Sequence, residues 1–222
     1  MPPPLDNFVP IFWIELVYSL VVIISCIIIF FKTNELYQIS LHKGIKYFRN
    51  AFLFFGIAFF SRLFLRLVAI VNGPDRMDRV LFSLGFLIFL YAGLMAGFFL
   101  IYSSLWKRIR NSDEFGWIFH PLALSLAAIL IIFLFRSETF LILTLIFLTA
   151  AILAYSNDKN TKNKTGINNV HIIYILLFIS WIVSALAQFI ILISDETSII
   201  LYSFSSLLFL IILYRVIKSI CK

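Results

Sequence analysis

Two arginines lie within an apolar stretch of this 222-residue chain. Arg62 and Arg66 are four residues apart in the run 51–71, so a helix would carry both on one face. A guanidinium group is always charged, and its fork of N–H donors matches the geometry of carboxylates and phosphates. The spacing therefore predicts either the binding of an anionic ligand or pairing with a carboxylate of the chain itself.

Glu15 is the acidic residue that lies well inside an apolar stretch, the run 10–31. Glu15 and Arg66 are each about five residues from one end of their runs, which at 1.5 Å per residue is about 7.5 Å from the same membrane boundary. Consecutive helices usually pack as neighbours, so we predict a Glu15–Arg66 ion pair. Arg62 lies one turn deeper, where the sequence offers no second carboxylate.

Polar residues on three of the predicted helices are expected to face the same interior. They are Tyr18, Ser19 and Cys26 beside Glu15, then Ser180, Ser184 and Gln188 at four-residue steps, and Tyr202, Ser205 and Ser206. Depth matching gives a predicted ligand-binding set of Glu15, Arg62, Arg66, Gln188 and Tyr202. Two interpretations remain open. One is an outward-facing cavity for a carboxylate or phosphate, with or without an apolar tail; the other is a structural network in which Arg62 meets carbonyls and hydroxyls or reaches towards the surface.

Seven apolar runs must position these residues. They span approximately 10–31, 51–71, 80–105, 117–135, 138–155, 170–193 and 197–214. The chain is 62% hydrophobic and 13% charged, against roughly 45–50% and about 25% in soluble domains. Each run is long enough, or nearly so, to cross about 30 Å of hydrocarbon as a helix, and the period-two alternation of a membrane barrel is missing. The sequence predicts an all-α, seven-transmembrane-helix bundle that forms a single domain over residues 1–222.

The distribution of Lys and Arg predicts the orientation of the bundle. Thirteen of them lie after runs one, three, five and seven, whereas the opposite side carries Arg76, Arg79 and Arg136. Basic residues are enriched in cytoplasmic loops, so the N-terminus is predicted outside and the C-terminus in the cytoplasm of a multi-pass cell-membrane protein. The same scattering over separate loops argues against nucleic acid as a partner.

Two local patterns predict details of helix packing. His42 and Lys43 precede Gly44, as at a helix C-terminus with a left-handed glycine cap, so the first helix is expected to project beyond the membrane before the second begins. In run three, Ala92-Gly93 and Ala96-Gly97 repeat small residues at four-residue spacing, which permits close helix approach. We expect that contact inside the monomer rather than between two copies.

A weak internal similarity relates the third and seventh runs. Residues 81–90 (LFSLGFLIFL) and 201–210 (LYSFSSLLFL) share five identities. A duplication would give a three-plus-one-plus-three helix arrangement, as in parallel-repeat transporters. The alternative is chance, because Leu, Phe and Ser dominate both segments.

Seven helices with the N-terminus outside is a topology similar to that of microbial rhodopsins, seven-helix receptors and the membrane portions of some sensor kinases. The likeness is one of topology only. Rhodopsins hold retinal on a lysine of the seventh helix, and residues 197–214 contain none, so no retinal or other cofactor is expected. Transporters of the three-plus-one-plus-three type usually hinge at prolines within repeated helices, whereas here Pro10 and Pro121 lie at run ends.

Two functions remain open from the sequence. The first is a receptor-like or sensor-like protein that binds a small or lipid-like anionic ligand and acts through a cytoplasmic partner on the basic loops. The second is a small transporter that uses the same cavity. Neither an enzyme nor a metal centre is expected, because no nucleophile–base order or metal-ligand spacing is present. Membrane lipids are the expected surroundings, and a homo-oligomer is left open.

Overall fold

The computed structural model describes the backbone of residues 8–72, 79–106, 115–133, 136–161, 170–190 and 195–220. Side chains are described over 13–70, 80–106, 117–132, 140–156, 171–187 and 196–218.

The described residues form seven α-helices. They are α1 (Phe8–Ser40), α2 (Lys43–Asn72), α3 (Arg79–Leu105), α4 (Phe115–Phe133), α5 (Arg136–Thr161), α6 (Val170–Ile190) and α7 (Asp195–Ile220). Each predicted apolar run falls on its own helix, which confirms the all-α class; residues 134–135 and 191–193 of those runs lie outside the described residues. Several helices extend past their apolar run, since a helix continues into polar sequence until a residue breaks it.

Within the described residues, four of the helices are long and apolar enough to cross a membrane. The apolar segments are Trp13–Ser40, Lys43–Ile70, Val80–Leu105 and Glu196–Lys218. The described parts of α4, α5 and α6 contain shorter apolar helical segments of 10–17 residues. By length and composition, these helices indicate a membrane protein.

Six helices close a ring around the core. α1 packs on α2 and α7, α2 packs on α3, α3 packs on α5, α5 packs on α6, and α6 packs on α7. α4 joins this ring through its contact with α3.

Aromatic side chains fill the middle of the ring. The Phe55 ring centroid lies 5.1 Å from that of Phe59, 5.6 Å from Phe209, 5.7 Å from Phe147 and 6.0 Å from Trp181. All five side chains are buried. Edge-to-face and stacked rings at these separations are favourable beyond the area that they bury.

The small residues of α3 pack against α5 within the monomer, as the sequence predicted. A Cβ atom added at Gly93 would lie 3.3 Å from Leu143 Cδ2, and one added at Gly97 would overlap Ile146 Cγ2. The absence of side chains at these two positions therefore lets the two helices approach closely.

The corner between α1 and α2 differs in one respect from the prediction. α1 continues to Ser40 as expected, but Gly44 is not its left-handed cap, because Gly44 lies inside α2. Leu41 holds the left-handed conformation instead, with φ 49°, and its N–H donates to the carbonyl of Tyr37 at 2.8 Å. The carbonyl of Gly44 accepts a hydrogen bond from Ser103 of α3 at 2.8 Å.

Candidate functional site

The site is built around Glu15, whose carboxylate is buried on the inner face of α1. Arg62 of α2 donates two hydrogen bonds to Glu15 Oε1, from Nη2 at 2.6 Å and from Nε at 3.2 Å. The Arg62 side chain is 11% exposed and that of Glu15 is 6% exposed. Two opposite charges removed from water at this distance interact strongly, and separating them would take from each buried charge its nearest opposite charge.

Arg66 approaches the second oxygen of the same carboxylate. Its Nε atom lies 3.4 Å from Glu15 Oε2, and its side chain is 37% exposed. The predicted Glu15–Arg66 pair is therefore present, but the expectation that Arg62 would lack a carboxylate is wrong. Arg62 makes the shorter contact because the long arginine side chain reaches across the one-turn difference in depth, about 5.4 Å, which separates the two backbone positions.

Tyr202 joins the cluster from α7. Its hydroxyl accepts a hydrogen bond from Arg62 Nη2 at 3.0 Å, and the Arg62 guanidinium carbon lies 5.9 Å from the centre of the Tyr202 ring. The tyrosine is fully buried. Arg62 therefore connects α1, α2 and α7 through its own hydrogen bonds, and depth matching identified Tyr202 correctly as a neighbour.

A chain of hydroxyls continues the polar face deeper into the ring. Ser205 Oγ donates to the Tyr18 hydroxyl at 3.3 Å, and Ser205 and Ser180 share a hydrogen bond of 3.2 Å. The Tyr18 and Tyr202 ring centroids are 5.3 Å apart, so the hydroxyl chain adjoins the charged cluster. The inward orientation predicted for these side chains is confirmed.

The predicted polar face has two further members, Gln188 and Ser19. Gln188 belongs to α6, and its side chain lies outside the described residues. Ser19 is one turn from Glu15 and is buried, and its Oγ has no hydrogen-bond partner in the part of the chain that is described. A buried hydroxyl in this position is a suitable contact for a bound polar molecule.

The charge balance of the cluster favours an anion. Two guanidinium groups share one carboxylate, so the described cluster carries one excess positive charge. Arg62 is held by Glu15 and Tyr202, whereas Arg66 has the longer contact with Glu15 and the greater exposure. Arg66 is thus the cation that a second carboxylate or a phosphate could reach without removing the buried Arg62–Glu15 pair.

His120, near the start of the fourth apolar run, has a specific partner in α3. The Tyr91 hydroxyl and His120 Nδ1 are 2.6 Å apart, and the His120 ring lies 6.0 Å from that of Phe54. Since Tyr91 is in α3 and His120 in α4, this contact fixes α4 on the ring. Spacing in the sequence carried no signal for it, because the two residues are 29 positions apart.

No protein-family model matches the chain, and no solved structure matches it. An uncharacterized protein from Archaeoglobus fulgidus is 28% identical over 238 residues, which cover 99% of this chain and 100% of the relative. The similarity therefore extends over the whole length of both proteins. The similarity assigns no activity to the chain.

Proposed function

We propose that the chain is a seven-span, multi-pass protein of the cell membrane that binds a small or lipid-like anionic ligand in an outward-facing site and acts through a cytoplasmic partner. The observation that carries the proposal is the shared carboxylate of Glu15, which holds Arg62 in a buried pair and leaves Arg66 partly exposed. The N-terminus is outside in this proposal, and the basic segments face the cytoplasm.

Helix length supports seven crossings. α4, α5 and α6 contain 19, 26 and 21 residues, which at 1.5 Å per residue gives about 28, 39 and 31 Å. The hydrocarbon layer is about 30 Å thick, so all three are compatible with a crossing. The alternation of basic segments supports the same count and sets the direction.

The position of Arg66 supports a ligand site in the outer half of the membrane. Arg66 is six residues from the end of α2, about 9 Å along the helix axis. In this layer an ionised side chain is costly unless it is paired or meets water, and such residues commonly mark ligand or ion pathways. The ligand carboxylate or phosphate would contact Arg66. An apolar tail would lie among the apolar side chains of the neighbouring helices.

The aromatic core favours a sensor over a transporter. Phe55, Phe59 and Phe209 lie deeper than the charged cluster on their helices and are buried against one another. A substrate that passed from the cluster to the cytoplasm would have to displace these rings. A ligand that binds and leaves on the outer side need not do so.

A small transporter remains the second candidate because of one packing feature. α1 to α3 and α5 to α7 form consecutive halves of the ring, and α4 joins through α3. This pattern is compatible with a three-plus-one-plus-three arrangement in which the two halves move relative to each other.

A ligand series measured on purified protein in nanodiscs tests the proposal. We expect alkyl carboxylates or alkyl phosphates to raise the thermal unfolding temperature, whereas alcohols of the same chain length do not. Arg66→Gln should abolish the rise, and Arg215→Gln, at the other end of the bundle, should retain it. The proposal fails if no anion stabilises the wild type, or if anions stabilise Arg66→Gln equally. Uptake of a stabilising anion into proteoliposomes would select the transporter instead of the sensor.

A further inference from the structure

The corner between α1 and α2 exposes two large apolar side chains. We call residues 39–43 the hairpin tip. Ile39 is 84% exposed and Leu41 is 71% exposed. They are the first and the fourth most exposed large hydrophobic side chains in the described part of the chain. Polar residues surround them, since Gln38, Ser40 and His42 are also exposed. Two neighbouring apolar side chains that are exposed to water commonly mark an interaction site.

The hairpin tip lies beyond the lipid tails, at or past the outer edge of the headgroup layer, if α1 spans the membrane. Asn34 and Arg49 hydrogen-bond each other across α1 and α2 and mark the level at which the helix faces become polar. Leu41 follows Asn34 by seven residues, about 10 Å along a helix. The headgroup layer is about 5–7 Å thick on each side. Lipid tails therefore cannot cover Ile39 and Leu41.

The backbone at Leu41 adds an independent observation. Leu41 has φ 49°, a conformation that is unfavourable for a residue with a Cβ atom and is usually taken by glycine or asparagine. Its side chain gains little from burial, since it is mostly exposed. A leucine that costs backbone energy and is mostly exposed is explained by a contact outside the chain.

The surroundings of the hairpin tip are basic. Lys43 and Lys46 lie at or next to the tip, and Lys32 and Arg49 lie farther along α1 and α2; the segment from residue 32 to residue 49 has the single acidic residue Glu35. Glu35 is already paired with Lys32 at 3.0 Å. Lys43 lies 5.3 Å from the centre of the ring of Trp106, the residue that follows α3. A partner that complements this surface must carry negative charge around an apolar contact.

We propose that the hairpin tip docks an amphipathic segment of a cytoplasmic protein, with apolar anchors that cover Ile39 and Leu41 and acidic side chains that face the surrounding lysines. This inference rests on the proposed function, because it names the kind of partner through which the outer site would act. The tip is held in place by hydrogen bonds and ring contacts of α1, α2 and α3, so its geometry is ready before the partner arrives.

Binding of two synthetic helical peptides tests the proposal. One peptide carries leucines on one face and glutamates on the other, and the second replaces every glutamate with lysine. Each is titrated against the full chain in nanodiscs of uncharged phosphatidylcholine. We expect the acidic peptide to bind at least ten-fold more tightly than the basic one. Equal affinities, or binding to empty nanodiscs of the same strength, overturn the proposal.

A double variant separates docking from folding. Ile39→Ser with Leu41→Asn removes both apolar contacts, and asparagine accepts the left-handed backbone, so the fold should be retained. We expect the variant to lose at least ten-fold in affinity for the acidic peptide, whereas Tyr214→Ser, at an exposed position of α7, keeps the wild-type affinity. Unchanged affinity in the double variant contradicts the proposal. So does a double variant that loses only its attraction to anionic lipid vesicles or its self-association.

The outcome is distinguishable from failure of the ligand site. The peptide titration needs no anion and does not involve Arg66, so the tip can bind its partner even if the proposed ligand site is wrong. Conversely, anions could still stabilise the double variant while the peptides fail to bind as expected. The docking proposal would then be wrong, and the ligand site would stand.

Discussion

Arg62 donates two hydrogen bonds to the same oxygen of Glu15, at 2.6 Å and 3.2 Å, from a position almost enclosed by the helix ring. This pair, rather than the more exposed contact with Arg66, is the fixed part of the polar cluster.

Glu15→Gln and Arg62→Gln should each lower the free energy of unfolding by up to about 3–5 kcal/mol, because each removes from a buried charge the opposite charge nearest to it. The double variant should lose less than the sum of the two, which a double-mutant cycle on denaturation in detergent measures. Arg66→Gln serves as the matched control. Its side chain is 37% exposed, so its loss should be about 1 kcal/mol or less. Additive losses for Glu15 and Arg62 would show that the pair does not act as a unit.

The hydroxyl of Tyr202 should matter separately from its ring. Tyr202→Phe removes the acceptor of the 3.0 Å bond from Arg62 while keeping the buried ring, and a hydrogen bond to a charged group is worth about 1.5–3 kcal/mol. We expect a loss in that range by thermal unfolding. Tyr214→Phe alters an exposed hydroxyl and should leave the unfolding temperature unchanged; equal effects of the two variants would argue against the bond.

The sequence predicted more of the helices than of the contacts between them. Apolar runs located all seven helices, because burial or lipid requires a continuous apolar stretch in each. Depth matching brought Glu15 to Arg66 and Tyr202, since backbone levels follow from a fixed rise per residue. It missed the Arg62–Glu15 contact, because the guanidinium position depends on side-chain rotamers that the spacing does not contain. The left-handed residue was also misplaced, since glycine is the usual choice there and the chain uses Leu41.

Replacement of Gly97 should disturb the contact between α3 and α5. The Cβ atom of Gly97→Ala would overlap Ile146 Cγ2, and overpacking of a core typically costs about 1–3 kcal/mol. Gly93→Ala should be milder, because its Cβ would lie 3.3 Å from the end of the Leu143 side chain. Ile146→Ala should remove most of the additional penalty when it is combined with Gly97→Ala. Thermal unfolding of the wild type, the two glycine variants and the double variant checks the order of their stabilities. An unfolding temperature of Gly97→Ala equal to that of the wild type would contradict the close packing.

The left-handed backbone at residue 41 gives a stabilising substitution. Leu41→Gly should raise the free energy of unfolding by about 1 kcal/mol, because glycine lacks the Cβ contact that makes this conformation unfavourable. Leu41→Ala removes the exposed side chain but keeps the Cβ atom, so it should give no comparable gain. Chemical denaturation distinguishes the two. A gain from Leu41→Ala as large as that from Leu41→Gly would show that removal of the exposed side chain, and not the backbone conformation, causes the gain in stability.

The most direct test of the account is the accessibility of position 66 from the outside. Arg66→Cys is made in a chain in which Cys26 and Cys221 are replaced by serine, and sealed right-side-out vesicles are treated with a membrane-impermeant thiol reagent. An outward-facing site in an N-terminus-outside bundle predicts modification of Cys at position 66 by reagent added outside. Modification only after the vesicles are opened, while the denatured protein reacts fully, would contradict both the orientation and the outward-facing site.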